Sequence, residues 1–246
     1  NYFNAGFPSA ALRIASYASD LRTTTYSHKR IMILEAMGRQ SGWLALASCL
    51  AEPAPDFIIV PEFALDYEDF KDKVAKRYKD KGSVLAVVAE GAKYSESGTP
   101  ISEDKSTLDE FSHNKLGGAA YLLAGRLKKD LKIENVNANN PSHWYRCGAP
   151  SELDKDAGIE LGASAFNAVK SGYRARLAVT ARINKNITIK TLPIDEVLKF
   201  DDKDRIIPRQ LDNRFYDKIH LQASKLGREY LYPFFNYQGG QHFNCG

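Results

Sequence analysis

Little in this chain of 246 residues speaks for a metal, a membrane or a disulfide scaffold. Only three cysteines occur, Cys49, Cys147 and Cys245. They are odd in number and far apart, which excludes a disulfide framework and a Cys-x-x-Cys clamp and leaves them as buried or incidental thiols. The five histidines, His28, His113, His143, His220 and His242, include no pair at ligand spacing, so no protein-bound transition metal is expected. The longest apolar runs, Trp43 to Ala51 and Val84 to Ala89, fall short of the roughly 20 residues a membrane span needs. No basic-then-apolar leader opens the chain, and a cytoplasmic location is the default expectation. The net charge of +4 comes from 34 basic and 30 acidic residues that are interleaved, without the long basic stripe that nucleic acid favours. A small anionic substrate, by contrast, needs only a few well-placed arginines.

What the chain does contain is a globular composition, 43% hydrophobic and 26% charged, long enough for one large α/β domain or two lobes. It opens at Asn1-Tyr2-Phe3 without an initiator methionine, and a fragment is the expectation. Ser9 offers a helix N-cap, and Ala10, Ala11, Ile14, Ala15 and Ala18 line one helical face. Arg30 to Ala36 reads as a buried strand, Gly38 and Gly42 as a turn, and Gly42 to Leu50 as a helix. A short strand at Phe57 to Val60, a charged helix at Tyr67 to Lys79 and a strand at Val84 to Ala89 follow. Residues 93–111 predict an exposed loop, and Leu116 to Leu131 has helical spacing. Further strands are expected at Ile133 to Val136, Ala175 to Ala181 and Ile187 to Thr191, with a helix at Asp154 to Lys170 stopped by Gly172. The alternation predicts an α/β fold with a Rossmann-like, mostly parallel sheet and helices on both faces.

In such a sheet, ligands gather beyond the carboxyl ends of the strands. Met37-Gly38-Arg39 follows the first strand, where glycine lets backbone approach closely and a guanidinium can fork onto phosphate oxygens. Glu90-Gly91 follows Val84 to Ala89 and offers an acceptor for sugar hydroxyls. His143-Trp144-Tyr145-Arg146 adds an imidazole and a second guanidinium. A phosphorylated polyol matches this set. Other notable side chains read more plainly: His113 as a capping or packing residue, Trp43 and Trp144 as packing aromatics, Glu35 and Glu62 as partners of nearby bases. The charged stretches at 67–81 and 198–206 read as solvated surface.

The run Tyr26-Ser27-His28-Lys29-Arg30, followed by Glu35-Ala36-Met37-Gly38-Arg39-Gln40-Ser41-Gly42-Trp43, resembles the substrate signature of the 6-phosphofructokinase family. Gly6 to Ala11, Asp56 to Glu62, Val88 to Gly91, Phe111 to Gly118, Ser142 to Arg146 and Asp154 to Gly172 extend the resemblance in order over roughly the first two-thirds of the chain. It implies phosphoryl transfer to the 1-hydroxyl of fructose 6-phosphate in glycolysis, with magnesium and either ATP or pyrophosphate as donor. By the same resemblance Met37, Gly38, Glu90, His143 and Arg146 hold the sugar phosphate. Arg39 stands near the transferring phosphoryl group as the catalytic residue, and Arg30 reaches the 6-phosphate across a subunit boundary in a homo-oligomer, dimer or tetramer. Residues 1–152 are expected to form the fructose 6-phosphate-binding lobe. Residues 153–246 are expected to pack back on the sheet and on a donor-binding lobe.

Two departures stand out. Cys147 takes a glycine position with Tyr145 before Arg146, a variant closer to plant- and protist-like members, and Asn137 replaces a second phosphate arginine. The glycine-rich donor loop and the Thr-Ile-Asp-Asn-Asp segment bearing the general base, which in the family precede the Gly6 motif, are not in the chain, so the expected activity belongs to the full-length protein and this stretch alone is expected to be inactive. The alternative reading is a non-catalytic sugar-phosphate-binding subunit with a regulatory or structural role.

Overall fold

Val84 to Ala89 carries no polar side chain, and such a run is at ease only inside a sheet covered on both faces. The computed structural model, which describes residues 2–103, 118–183, 186–239 and 244–245, places it there. In chain order the elements begin with α1 (Phe7–Ser27), β1 (Ile31–Ala36), α2 (Trp43–Ala47), β2 (Phe57–Ile59), α3 (Tyr67–Lys81), β3 (Val84–Ala89), α4 (Ala119–Leu131) and β4 (Val136–Asn139). They continue with α5 (Glu152–Lys170), β5 (Arg176–Ile183), β6 (Asn186–Pro193), α6 (Ile194–Val197), β7 (Tyr216–Asp217), β8 (Gln222–Ala223), α7 (Lys225–Phe235) and β9 (Asn244–Cys245).

The chain divides into two compact units. One, Ala11–Tyr145 with Gln210–Tyr232, holds a four-stranded sheet in the order β2-β3-β1-β4, parallel throughout. Ile31, Ile33, Phe57, Ile59, Val84, Ala86 and Val88 face α3 and α4, whose Phe70, Val74, Leu123 and Leu127 complete one core layer. Met32, Leu34, Ile58, Leu85 and Val87 are buried on the opposite face, and α2 packs against β1, β2 and β3. Helix α3 starts where Asp66 accepts from Asp69 N–H (3.1 Å) and stops at Gly82 with φ of 70°.

The other unit, Asn1–Ala10, Arg146–Arg209 and Pro233–Gly246, is built on a β5–β6 hairpin with α5 packed against it and β9 beside β6. Tyr2 and Phe3 dock here: Tyr2 N–H donates to Thr180 O (2.6 Å), Phe3 N–H to Thr180 Oγ1 (3.1 Å), and the rings of Tyr2, Phe3 and Phe7 surround Phe234.

Two sequence-based expectations change, the Ser9 cap and the strand at 133–136. Ser9 is not an N-cap: α1 begins at Phe7, and the buried carboxylate of Asp154 takes the N–H groups of Gly6 and Ser9 (2.8 Å each) along with the Ser9 hydroxyl. The strand expected at 133–136 lies at Val136–Asn139, because the left-handed turn at Lys132 (φ 54°) spends Ile133 to Asn135 on the connection. Strands β5 and β6 run antiparallel, as consecutive strands with no helix between them must. Segment Gln210–Tyr232 returns to the parallel-sheet unit, where Ile58 N–H donates to Leu221 O (2.7 Å) and the Tyr216 hydroxyl to Ile58 O (2.6 Å). Among the described residues no helix is long and apolar enough to cross a membrane.

Candidate functional site

Because β1, β3 and β4 are parallel and adjacent, their carboxyl ends deliver three turns to one edge of the sheet unit. Past the last rungs the first two turns are joined by backbone: Glu90 N–H donates to Ala36 O (2.9 Å) and Gly91 N–H to Gly38 O (3.0 Å). Only glycine permits this. Gly38 has φ of 150°, and a Cβ there would lie 2.4 Å from Ser41 O, while a Cβ on Gly91 would lie 1.8 Å from Arg39 O. The result is that Arg39 Nε and Glu90 Oε1, 51 residues apart in sequence, stand 3.2 Å from each other. The Arg39 side chain is 84% exposed and that of Glu90 35%, so the pair contributes little to stability and both groups remain open to a ligand.

Behind this pair sits Glu35, the one ionisable residue of β1 and only 5% exposed. Strand alternation turns it, with Ile31 and Ile33, toward α4. Its Oε2 accepts from Ala120 N–H (2.9 Å) and its Oε1 from the Asn140 amide (2.8 Å). Burial pushes the Glu35 pKa up, the Ala120 N–H pulls it back, and the nearby Glu90 charge pushes it up again. The expectation that Glu35 and Glu62 pair with bases fails for one reason: both carboxylates serve backbone N–H groups at turns. Glu62 accepts from Gly42 (3.0 and 3.1 Å) and from Leu211 (2.8 Å).

The third turn is a short 3-10 segment, Ser142–Arg146, just past β4. Asn140 Oδ1 accepts from Ser142 N–H (2.8 Å), which holds Ser142 at a φ of 50°. Tyr145 is buried beneath, its hydroxyl donating to Glu35 O (2.9 Å); burial first, then the proximity of Tyr17 and Glu35, drives its pKa well above the phenol range. Trp144 rests on Tyr17, with ring centroids 5.3 Å apart, in the packing role expected, as Trp43 does on Phe215 and Tyr230. His143 and Arg146 are exposed, and their side chains make no hydrogen bond or ion pair among the described residues. Arg146 is also the first residue of its segment of the second compact unit.

Met37, Gly38, Arg39, Glu90 and His143 therefore reach one edge. Arg30 does not: it precedes β1 at the opposite end of the strand, 3.5 Å from Thr24 Oγ1. His113 and the run 104–117 lie outside the described residues. Cys49 is a buried thiol pushed up to about 12 by burial, and Cys147 is exposed. Asn137 is exposed on β4. Spacing arguments passed over Glu35 and Asn140; the available signal was a lone carboxylate in the apolar run Ile31-Met32-Ile33-Leu34-Glu35-Ala36.

In comparison with known proteins the phosphofructokinase family profile matches residues 2–169, and the chain belongs to that family. A pyrophosphate–fructose 6-phosphate 1-phosphotransferase of Dictyoglomus thermophilum is 32% identical over 224 residues, 91% of this chain and 61% of the relative. An ATP-dependent 6-phosphofructokinase of Mycobacterium leprae is 34% identical over 164 residues, 66% of this chain and 47% of the relative. The crystal structure of a pyrophosphate-dependent phosphofructokinase from Marinobacter aquaeolei matches with a TM-score of 0.78 over 97% of this chain and 56% of that one, at 23% identity, and establishes the shared fold. The chain spans 61% or less of the length of these relatives.

Proposed function

We propose that this chain supplies the acceptor side of a phosphotransferase that moves a phosphoryl group onto the 1-hydroxyl of fructose 6-phosphate, giving fructose 1,6-bisphosphate, with ATP or pyrophosphate as donor. The observation that carries this reading is the solvent-open Arg39–Glu90 pair at the carboxyl edge of β1 and β3, 3.2 Å apart on glycine-stitched backbone. Glu90 accepts from sugar hydroxyls. Arg39 exchanges its contact with Glu90 for oxygens of the transferring phosphoryl group, whose charge needs a fixed cation in the transition state. Met37 and Gly38 line the sugar, while His143 and Arg146, both without partners among the described residues, grip it and its phosphate. The names of the relatives, which mention both donors, support the same reaction.

Arg30, at the far end of β1, serves the 6-phosphate of a neighbouring copy in a dimer or tetramer with shared sites. Magnesium bound with the donor would neutralise phosphate charge. The side chains here do not fit it as a cage, for among the described residues no three His, Cys, Asp or Glu side chains gather around one point. The setting is cytoplasmic glycolysis.

Calorimetric titration of fructose 6-phosphate into the full-length protein tests the reading. Arg146→Ala is expected to weaken binding by about 1.5–3 kcal/mol, the worth of a charge-assisted contact. Arg39→Ala should lower turnover more than affinity, because its partner charge grows in the transition state. Absence of binding by the wild type rules the assignment out, and binding without turnover points to the non-catalytic subunit.

A further inference from the structure

Glu35, Asn140 and Ser142 form a chain of hydrogen bonds with a fixed direction. Asn140 has one acceptor and one donor end, and both are used: Oδ1 takes Ser142 N–H (2.8 Å) and the amide gives to Glu35 Oε1 (2.8 Å). The second carboxylate oxygen of Glu35 is taken by Ala120 N–H (2.9 Å), in the first turn of α4, where a negative charge also meets the positive end of the helix dipole. There is no slack around it, since a Cβ on Gly118 would sit 2.3 Å from Oε2. Two further bonds tie the same residue to the site: its carbonyl takes the Tyr145 hydroxyl (2.9 Å), and its successor Ala36 takes Glu90 N–H (2.9 Å). One buried carboxylate thus meets the Met37–Arg39 turn along the chain, the Glu90 turn through the next residue, α4 through Ala120, and the His143 turn through Asn140 and Tyr145.

The geometry points to Glu35 as a positioning residue for substrate binding: through Asn140 it fixes the Ser142–Arg146 turn, and with it His143, relative to the Arg39–Glu90 edge. This rests on the reading of that edge as a sugar-phosphate site. Tyr145 and Trp144 anchor the far end of the His143 turn by packing, while its start depends on Ser142, which adopts a left-handed φ of 50° that a non-glycine residue occupies at a cost. An amide in place of the Glu35 carboxylate presents a donor where only acceptors fit. In Glu35→Gln, either the new amide faces the Asn140 amide donor to donor, or Asn140 flips and releases Ser142 N–H. Asn140→Asp has the opposite fault, two carboxylates face to face. The double substitution restores the order with roles exchanged: the new amide on β1 gives to the new carboxylate past β4, that carboxylate still takes Ser142 N–H, and the carbonyl of the new amide still takes Ala120 N–H.

The experiment is a double-mutant cycle on the full-length protein at pH 8, reading fructose 6-phosphate affinity by calorimetry for wild type, Glu35→Gln, Asn140→Asp and the pair. Each single variant is expected to bind about tenfold more weakly, and the pair to return to within about threefold of wild type. Wild-type binding with no loss in Glu35→Gln overturns the positioning role alone, and so does a double variant no better than Asn140→Asp. If Glu35→Gln does not fold, the comparison of Asn140→Asp with the double variant decides by the same rule. A wild type that does not bind fructose 6-phosphate overturns both the site and the role built on it.

Discussion

The two ends of the parallel sheet each join a carboxylate to arginine, and they do so in opposite ways. At the amino end of β2, the Asp56 side chain is 2% exposed and saturated: Arg22 and Arg77 each reach it at 2.6 Å, and it also accepts from Leu85 N–H (2.8 Å). At the carboxyl end, Arg39 and Glu90 make one contact at 3.2 Å with Arg39 almost wholly in solvent. The first arrangement clamps α1 and α3 to the strand and leaves no oxygen for anything else. The second leaves most of its hydrogen-bonding capacity unspent, which suits a ligand. Burial and saturation, rather than the mere presence of an ion pair, separate a brace from a binding group.

That contrast can be broken by measurement. The largest effect is expected at the brace: Asp56→Ala should lower the unfolding free energy by about 3–5 kcal/mol in denaturant titrations, since two guanidinium groups lose their shared anion. A loss below about 1 kcal/mol would put Asp56 in the same class as Glu90. Next comes Arg146→Ala, whose cost of about 1.5–3 kcal/mol should appear in fructose 6-phosphate binding while thermal stability stays put. Tyr145→Phe, which strips one buried hydroxyl from Glu35 O, should cost about 1 kcal/mol of stability. Arg39→Ala should change stability by no more than about 1 kcal/mol; a greater loss would make it a second brace.

The smallest expected effect is a slope. Burial raises the Glu35 pKa when folded, so between its unfolded and folded pKa values the folded state holds more protons. Stability contributed by this group is therefore highest at the acid end and declines as pH rises through that window. Denaturation curves of Glu35→Gln across the same window should lack this decline, and parallel slopes for the two proteins would refute it.

How much of this was legible beforehand follows from how far each feature reaches along the chain. Strands β1 and β3 announce themselves, because a run that is apolar throughout, or broken only by Glu35, has few other places to go. Arg39 and Glu90 were legible for a related reason: each follows such a strand at once, and parallel neighbours must end on the same edge. Ile133 misled because one β-branched residue in a connection looks like the start of a strand. Ser9 misled because its true partner, Asp154, is 145 residues away. The Glu35–Asn140 bond, across 105 residues, was hidden for the same cause. Residue type narrows chemistry, but only the fold decides which long-range donor meets which acceptor.

Asp154 carries a last consequence, one of timing. During synthesis Phe3 to Ser9 leave the ribosome before the groups that hold them, since the Asp154 carboxylate follows Ser9 by 145 residues and Thr180 follows Phe3 by 177. The parallel sheet, whose four strands are complete by Asn139, can assemble in the meantime. Such a stretch cannot dock before residues 154 and 180 have been made, and the loop it must then close is a long one.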